Sequence, residues 1–459
     1  MLRTVNAQAT LWESILPEAC LGLPAELEAV DRLLDDPTFF EPYRAFFDSR
    51  IGRPSIPIES YLRLMFLKFR YRLGFESLCR ETTDSISWQR FCRIPLGMSV
   101  PHPTTLMKIT TRCGTQAIEG LNEALLAKAC AAKVLKTNRV RADTTVIEAN
   151  VAYPTDSGLL AKGVAKMAKA IAVIKAAGLA RRTRTRDRSR QVHKRARSIA
   201  ANLRRRSGEA IEEVFAINAD LTKIALRAVS EARNAARNAR RGLKGASEVP
   251  AKIRRSISEL ETTAARLEVI ATQSRQRLSG VTPDGSKRLV SLHDPDARPI
   301  RKGRLGKPVE FGYKAQVVDN EDGVVLDHNV EIGNPPDAPQ LLPAIRRVTA
   351  RAGIPRAVTA DRGYGDPAVT PALEDLGVRT VVLPTRGKPN AARREVERRR
   401  SFQKLVKWRT GSEGRISCLK RDFGWNRTRI DGIEGARTWC GHGVFNHNLV
   451  KIAGLMANT

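Results

Sequence analysis

Acidic residues, aromatic rings and paired cysteines are all scarce in this chain of 459 residues. Aspartate and glutamate number 48 against 79 lysines and arginines, a net charge of +31, and aromatic residues make up 5% of the whole. A surface so short of acid cannot neutralise itself. A field of this sign favours a polyanion, and nucleic acid is the commonest one. The seven cysteines are scattered with no Cys-x-x-Cys pair, which argues against a disulfide framework and for a reducing cytoplasm. Cys440, His442 and His447 lie close together, but their irregular spacing is poor evidence for zinc. Long apolar runs are missing too. The most apolar stretch, Tyr61 to Phe69, is too short and too charged to span a bilayer. The start, Met1-Leu-Arg-Thr-Val-Asn-Ala-Gln, shows no apolar segment followed by a cleavage site. The expectation is a soluble protein with no membrane partner.

What is present divides the chain. Its length suits two or three domains with cores of their own. Residues 1–130 read as helices: Pro57 opens one that runs from Ile58 to Leu73 and stops at Gly74, shorter ones cover Glu76–Thr82 and Ser87–Cys92, and a last begins at Thr104. Short helices ending in a polar, threonine-started one fit a helix-turn-helix reader of the major groove. Residues 155–285 carry no strand pattern. There Ile253, Ile257, Leu260, Ala264 and Leu267 recur as a coiled-coil seam does, and Ile211, Val214, Leu221 and Ile224 repeat the theme on an earlier helix. Two or three long helices packed as a hairpin are expected. Between Arg181 and Arg206 stand eleven arginines and one lysine against one aspartate. Such a run is usually solvated and partly disordered. Its functional reading is a phosphate-tracking arm, with few aromatic residues for base stacking.

Three acidic segments carry the chemistry. Val140-Arg-Ala-Asp143-Thr-Thr-Val-Ile147 reads as a strand around one aspartate, and Ala357-Val-Thr-Ala-Asp361-Arg-Gly-Tyr-Gly365 as a strand ending in an aspartate before a glycine turn. Near the C-terminus the spacing is Arg409-x3-Glu413-x6-Lys420, and a helical pitch of 3.6 residues puts all three within roughly one face of one helix. Singly, each is as well explained by a turn, a cap or a solvated face. Together they are hard oxygen ligands from distant parts of the chain, able to hold two Mg2+ ions about 4 Å apart for in-line displacement at phosphorus. Glu434, in Asp431-Gly-Ile-Glu-Gly-Ala-Arg437, competes with Glu413 for third place, but its two flanking glycines suit a loop or helix start.

These motifs resemble those of the DDE transposases of bacterial insertion sequences. Asp143-Thr-Thr matches the first motif of one branch, Asp361-Arg-Gly-Tyr364 the second, and Val406-x2-Arg409-x3-Glu413-x6-Lys420 the third, with valine where that branch has tyrosine. Phe311 to Asp319 resembles the family's second strand, and Phe39 to about Ile109 its helical N-terminal domain. The resemblance implies an α/β fold with a ribonuclease-H-like mixed sheet flanked by helices, an N-terminal all-α DNA-binding domain (1–130), a catalytic domain (131–154 and 286–459) and a basic helical insertion (155–285). It implies Asp143, Asp361 and Glu413 as catalytic residues and ligands of two Mg2+ ions, for which Mn2+ can stand in. Arg409 and Lys420 would meet the phosphate at the cut, and Arg204, Arg205 and Arg206 the backbone elsewhere. The partners implied are double-stranded DNA at the element's ends and at the target, and further copies of the chain, in a bacterial, nucleoid-associated protein. A metal-dependent nuclease or resolvase on the same fold, and a non-catalytic repressor, are the rival readings.

Overall fold

The computed structural model describes residues 1–3, 15–17, 22–48, 50–205, 207–243, 250–302, 306 and 308–457. Two compact units emerge. One comprises Met1–Asn150 with Tyr313–Thr459, the other Val151–Gly312.

The first unit opens with helices α1 (Ala25–Leu34), α2 (Ile58–Arg70), α3 (Phe75–Asp84), α4 (Ile86–Phe91) and α5 (Pro103–Ala131). Pro57 starts α2, as the sequence indicates. The helix ends before Gly74, however: Arg72 takes the left-handed conformation (φ 56°), and Gly74 instead caps the start of α3. The last helix is also far longer than its opening residues suggest. Pro103 fits its first turn, and Gly114 (φ 54°) kinks it without ending it. Strand β1 (Arg139–Glu148) follows.

The second unit holds α6 (Asp156–Ala176), α7 (Ser189–Asn202), α8 (Gly208–Leu243), α9 (Ala251–Leu278) and strand β2 (Arg298–Arg301). Thr155 caps α6 by accepting from the Gly158 amide. Ile253, Ile257, Leu260, Ala264 and Leu267 all face the core of α9. On α8, Leu221 and Ile224 are buried, whereas Ile211 is 49% exposed and the seam runs on through Ala225, Ala228, Val229, Ala232, Ala235, Ala236 and Ala239. Small residues let the helices approach closely. At Gly163 of α6 a β-carbon would lie 1.9 Å from Leu267. The basic run is more ordered than its composition suggests, because part of it forms α7 and finds acid on α8: Arg188 is bidentate to Glu231, and Arg195 pairs with Asp220.

The chain then completes the sheet of the first unit: β3 (Val309–Asn320), β4 (Val325–Ile332), α10 (Ala338–Ala352), β5 (Ala357–Ala360), α11 (Val369–Asp375) and β6 (Thr380–Val382). β3 and β4 form an antiparallel hairpin, while β1, β5 and β6 are parallel, in the order β4-β3-β1-β5-β6. The first four residues of β3, Val309 to Gly312, belong to the second unit and pair there with β2. Helices α12 (Ala391–Arg398), α13 (Arg400–Arg409), α14 (Gly411–Asp422) and α15 (Gly432–Ala457) end the chain. α15 is buried along most of its length. The N-terminal helices, the sheet and α15 share one apolar core, in which Phe39 meets Phe445 and Phe69 meets Trp439.

A candidate active site at the end of two parallel strands

β1 and β5 pair from Arg139↔Ala357 to Ala142↔Ala360, so Asp143 and Asp361 are the next residues on each. Parallel neighbours stand roughly 4.8 Å apart. A separation of 218 positions in the chain is thereby removed. Asp361 caps a short turn by accepting from the Gly363 amide at 2.8 Å. Asp143 is buried, with 9% of its surface exposed. Its Oδ1 accepts from the Thr144 amide (2.8 Å), and its Oδ2 from Ser412 Oγ (3.1 Å) and Arg409 Nη1 (3.4 Å). Burial, and after it the charge of Asp361, raise the pKa of Asp143 above the ordinary carboxylate value, against those hydrogen bonds and Arg409.

The Asp-x-Gly-Tyr motif acquires a physical reason here. A β-carbon on residue 363 would lie 2.6 Å from Asp337 Oδ2 and 3.0 Å from Asp361 Oδ1, so only glycine passes between the two carboxylates. Tyr364 is buried, accepts from Gln316 Nε2 at 3.0 Å, and has its pKa pushed well up by burial and by Asp337, Asp143 and Asp361. Asp337 pairs with Lys314 Nζ at 2.7 Å. At the start of α10 it looks like a helix cap, yet its side chain caps nothing.

Arg409 and Glu413 do not share one helix. Arg409 ends α13, Thr410 intervenes with its hydroxyl turned back to the Lys407 carbonyl, and Glu413 lies in the first turn of α14. Beside that break, at Gly411, a β-carbon would fall 2.2 Å from Arg141 Nη1. Gly411 thus admits a guanidinium of the protein itself, while Gly414 faces open space. Arg141 is bidentate to the buried Asp319, donates to the Trp408 carbonyl (2.9 Å) and stacks on the Trp408 ring at 4.7 Å. Arg415 reaches the same Asp319 and also His447. This network locks α13 and α14 to β1 and β3. None of Arg141, Ser412, Asp319 or Asp337 was singled out from sequence. Only the hydroxyl beside Glu413 left a trace, as the residue preceding a motif member.

Glu413 is exposed, one residue beyond the serine bonded to Asp143. Lys420 is partly buried on α14. Among the described residues no three His, Cys, Asp or Glu side chains are already gathered around a metal position. Glu434 accepts from Thr115 (2.9 Å) and Arg437 (2.9 Å) in the first turn of α15. His442 stacks on Phe69 and His447 bonds Arg415 and Asn448, so the two histidines serve different neighbours. Arg204 and Arg205 are exposed just past α7, with Arg205 3.6 Å from Glu213, and Arg206 lies outside the described residues.

Two family models match the chain: a Transposase domain (DUF772) over residues 18–112, and a Transposase DDE domain over residues 285–449. The chain belongs to the DDE transposases. The DDE match contains Asp361, Arg409, Glu413 and Lys420 but begins after Asp143, which strand pairing brings beside Asp361. No curated protein and no solved structure matches the chain. A DDE transposase acts on DNA, and its family generally uses divalent metal ions. No described helix of this transposase is long and apolar enough to cross a membrane.

Proposed function

We propose that this transposase cuts DNA at the ends of its element and joins the 3′ ends to a target, with Asp143 and Asp361 holding Mg2+ and Glu413 completing the ligand set. The observation that carries the reading is the placement of the two aspartates side by side where β1 and β5 stop pairing. The donor set fits hard cations: all oxygen, two carboxylates repelling one another, and one of them buried. A strand order with an antiparallel hairpin beside parallel strands supports the ribonuclease-H-like class. Two divalent ions at such a site lower the pKa of an attacking water or 3′-hydroxyl and stabilise the leaving oxygen.

The chain's own residues prepare that site. The Thr144 amide, Ser412 and Arg409 fix the Asp143 carboxylate in one orientation. Through Ser412 the same contact fastens the start of α14, and so the backbone of Glu413, to β1. Arg409 and Lys420 meet the phosphate beside the cut, as a fork and a point charge. Arg204, Arg205 and Arg206 follow the DNA backbone away from it, and residues 1–130 recognise the terminal repeats. Such a protein works as a dimer or larger multimer on DNA.

The test uses purified full-length protein, labelled element ends and a target plasmid with Mg2+. Joined products mark a transposase, cleaved ends alone a nuclease, and bound but intact DNA a repressor. Glu413→Gln is expected to abolish cleavage with DNA affinity nearly intact, and Glu434→Gln to retain cleavage. The opposite pattern removes Glu413 from the site.

A further inference from the structure

Lys68 breaks the rule that an ammonium ends in water. It belongs to α2, whose side chains are buried almost all round, and it is 3% exposed. Its Nζ lies over the rings of Trp439, Phe75 and Phe69, at 4.3, 4.7 and 4.8 Å. It makes no hydrogen bond or ion pair among the described residues. Beside it opens a cavity of about 660 Å³ whose lining includes Arg72, Arg427 and Arg429 but no aspartate or glutamate. Arg429 lies close enough to repel Lys68. A buried cation is costly without an anion, and like charges converging on one hollow add to the cost.

A second, independent irregularity points into the same hollow. The amides of Arg72 and Leu73 close α2 by donating to the carbonyls of Phe69 and Lys68. That leaves Arg72 at the left-handed position that glycine ordinarily fills. A β-carbon is strained there. Lys68 and Arg72 thus line one cavity, the first at the cost of burying its ammonium and the second from a strained backbone position.

We propose that this cavity is a phosphate-binding site separate from the carboxylate site. It takes a phosphate group, from a DNA strand or from a free nucleotide, between Lys68, Arg72 and Arg429. Arg427 is already held by Glu148 at 2.9 Å and forms the outer wall. The rings of Trp439 and Phe75 shield the ammonium from water, which strengthens its attraction for the anion. The proposal does not depend on the roles of Asp143, Asp361 and Glu413, because binding is read without divalent ions.

Lys68→Met and Arg72→Gly are the variants. Each relieves a local strain, so neither loses binding by failing to fold. Full-length protein at pH 7 is titrated into a labelled 40-base-pair duplex, followed by anisotropy, and with thymidine 5′-monophosphate, followed by calorimetry. Lys68→Met is expected to weaken at least one probe about tenfold, and Arg72→Gly to weaken the same probe less. Weakening of the duplex alone identifies a strand phosphate as the source. Weakening of the mononucleotide identifies a free nucleotide. Lys68→Met protein that binds both probes as tightly as the wild type overturns the proposal.

Discussion

Removing the charge of Lys68 should make the metal-free, DNA-free protein more stable. Burial, and then the charge of Arg429, lower its pKa from 10.5 to about 7. At about 1.4 kcal/mol for each pH unit, this places a penalty of ~4 kcal/mol on folding at pH 7, relative to a solvated lysine. Three aromatic rings within 5 Å return about 0.5–1 kcal/mol each, leaving a net cost of ~2 kcal/mol. Methionine has similar length, carries no charge and packs well against rings. Lys68→Met should therefore raise the melting temperature of the first unit by about 4 °C or more at pH 7. The sign of the pH dependence follows from linkage. With the folded pKa below the unfolded one, unfolding takes up a proton between pH 7 and 10.5, and wild-type stability rises with pH through that window. The advantage of the methionine variant is then full below pH 7 and vanishes toward 10.5. Scanning calorimetry at pH 6, 7 and 9.5 measures it. A variant that melts below the wild type at pH 7, or whose advantage ignores pH, refutes the account of a strained ammonium.

Three further outcomes can be checked. Asp143→Asn should abolish cleavage yet raise the melting temperature of the metal-free protein; because the folded pKa of Asp143 is raised, its charge costs stability as pH climbs through that value, and thermal denaturation at pH 4 and 7 should show the gain only at the higher pH. Replacing Arg204, Arg205 and Arg206 with alanine should flatten the slope of log affinity against log salt by about one to three, measured on duplex DNA; an unchanged slope makes the run an ordinary solvated surface. Gly411→Ala should drive the Arg141 guanidinium from Asp319 and the Trp408 carbonyl, costing about 3 kcal/mol as a buried pair is broken, and a variant as stable as the wild type in denaturant would show that α14 shifts without loss.

Signals that live on one element were legible in the sequence. β-branched residues around Asp143, the small-residue strand before Asp361 and the seam of α9 all follow from local periodicity. What escaped depends on distant partners. Gly74 looked like the stop of α2 because left-handed ends usually belong to glycine, and tertiary packing put Arg72 there instead. At Gly411 the space a side chain would need is taken by Arg141, from a strand 270 positions earlier. Asp337 reads as a cap from its place before α10, and only its neighbours Lys314 and Gly363 reveal another use. Spacing gave Arg409 and Glu413 a common face, but a break at Thr410 leaves no continuous helix to carry it.

The pairing of β1 with β5 also sets a timetable for folding. Arg139 must wait for Ala357, 218 residues downstream. At synthesis rates of about 5–20 residues per second, that wait lasts roughly 10–40 s. Over the same interval the helices α6 to α9 emerge, and their contacts are local enough to form within milliseconds. The nascent chain therefore carries a finished helical bundle and a β1 edge without its neighbour. Val140, Ala142, Val146 and Ile147 are buried in the finished protein and stay exposed until then. An unpaired apolar strand held open for so long is a site of misassembly between chains. Yield should thus depend on translation speed and chaperone supply more than on the stability of the completed fold.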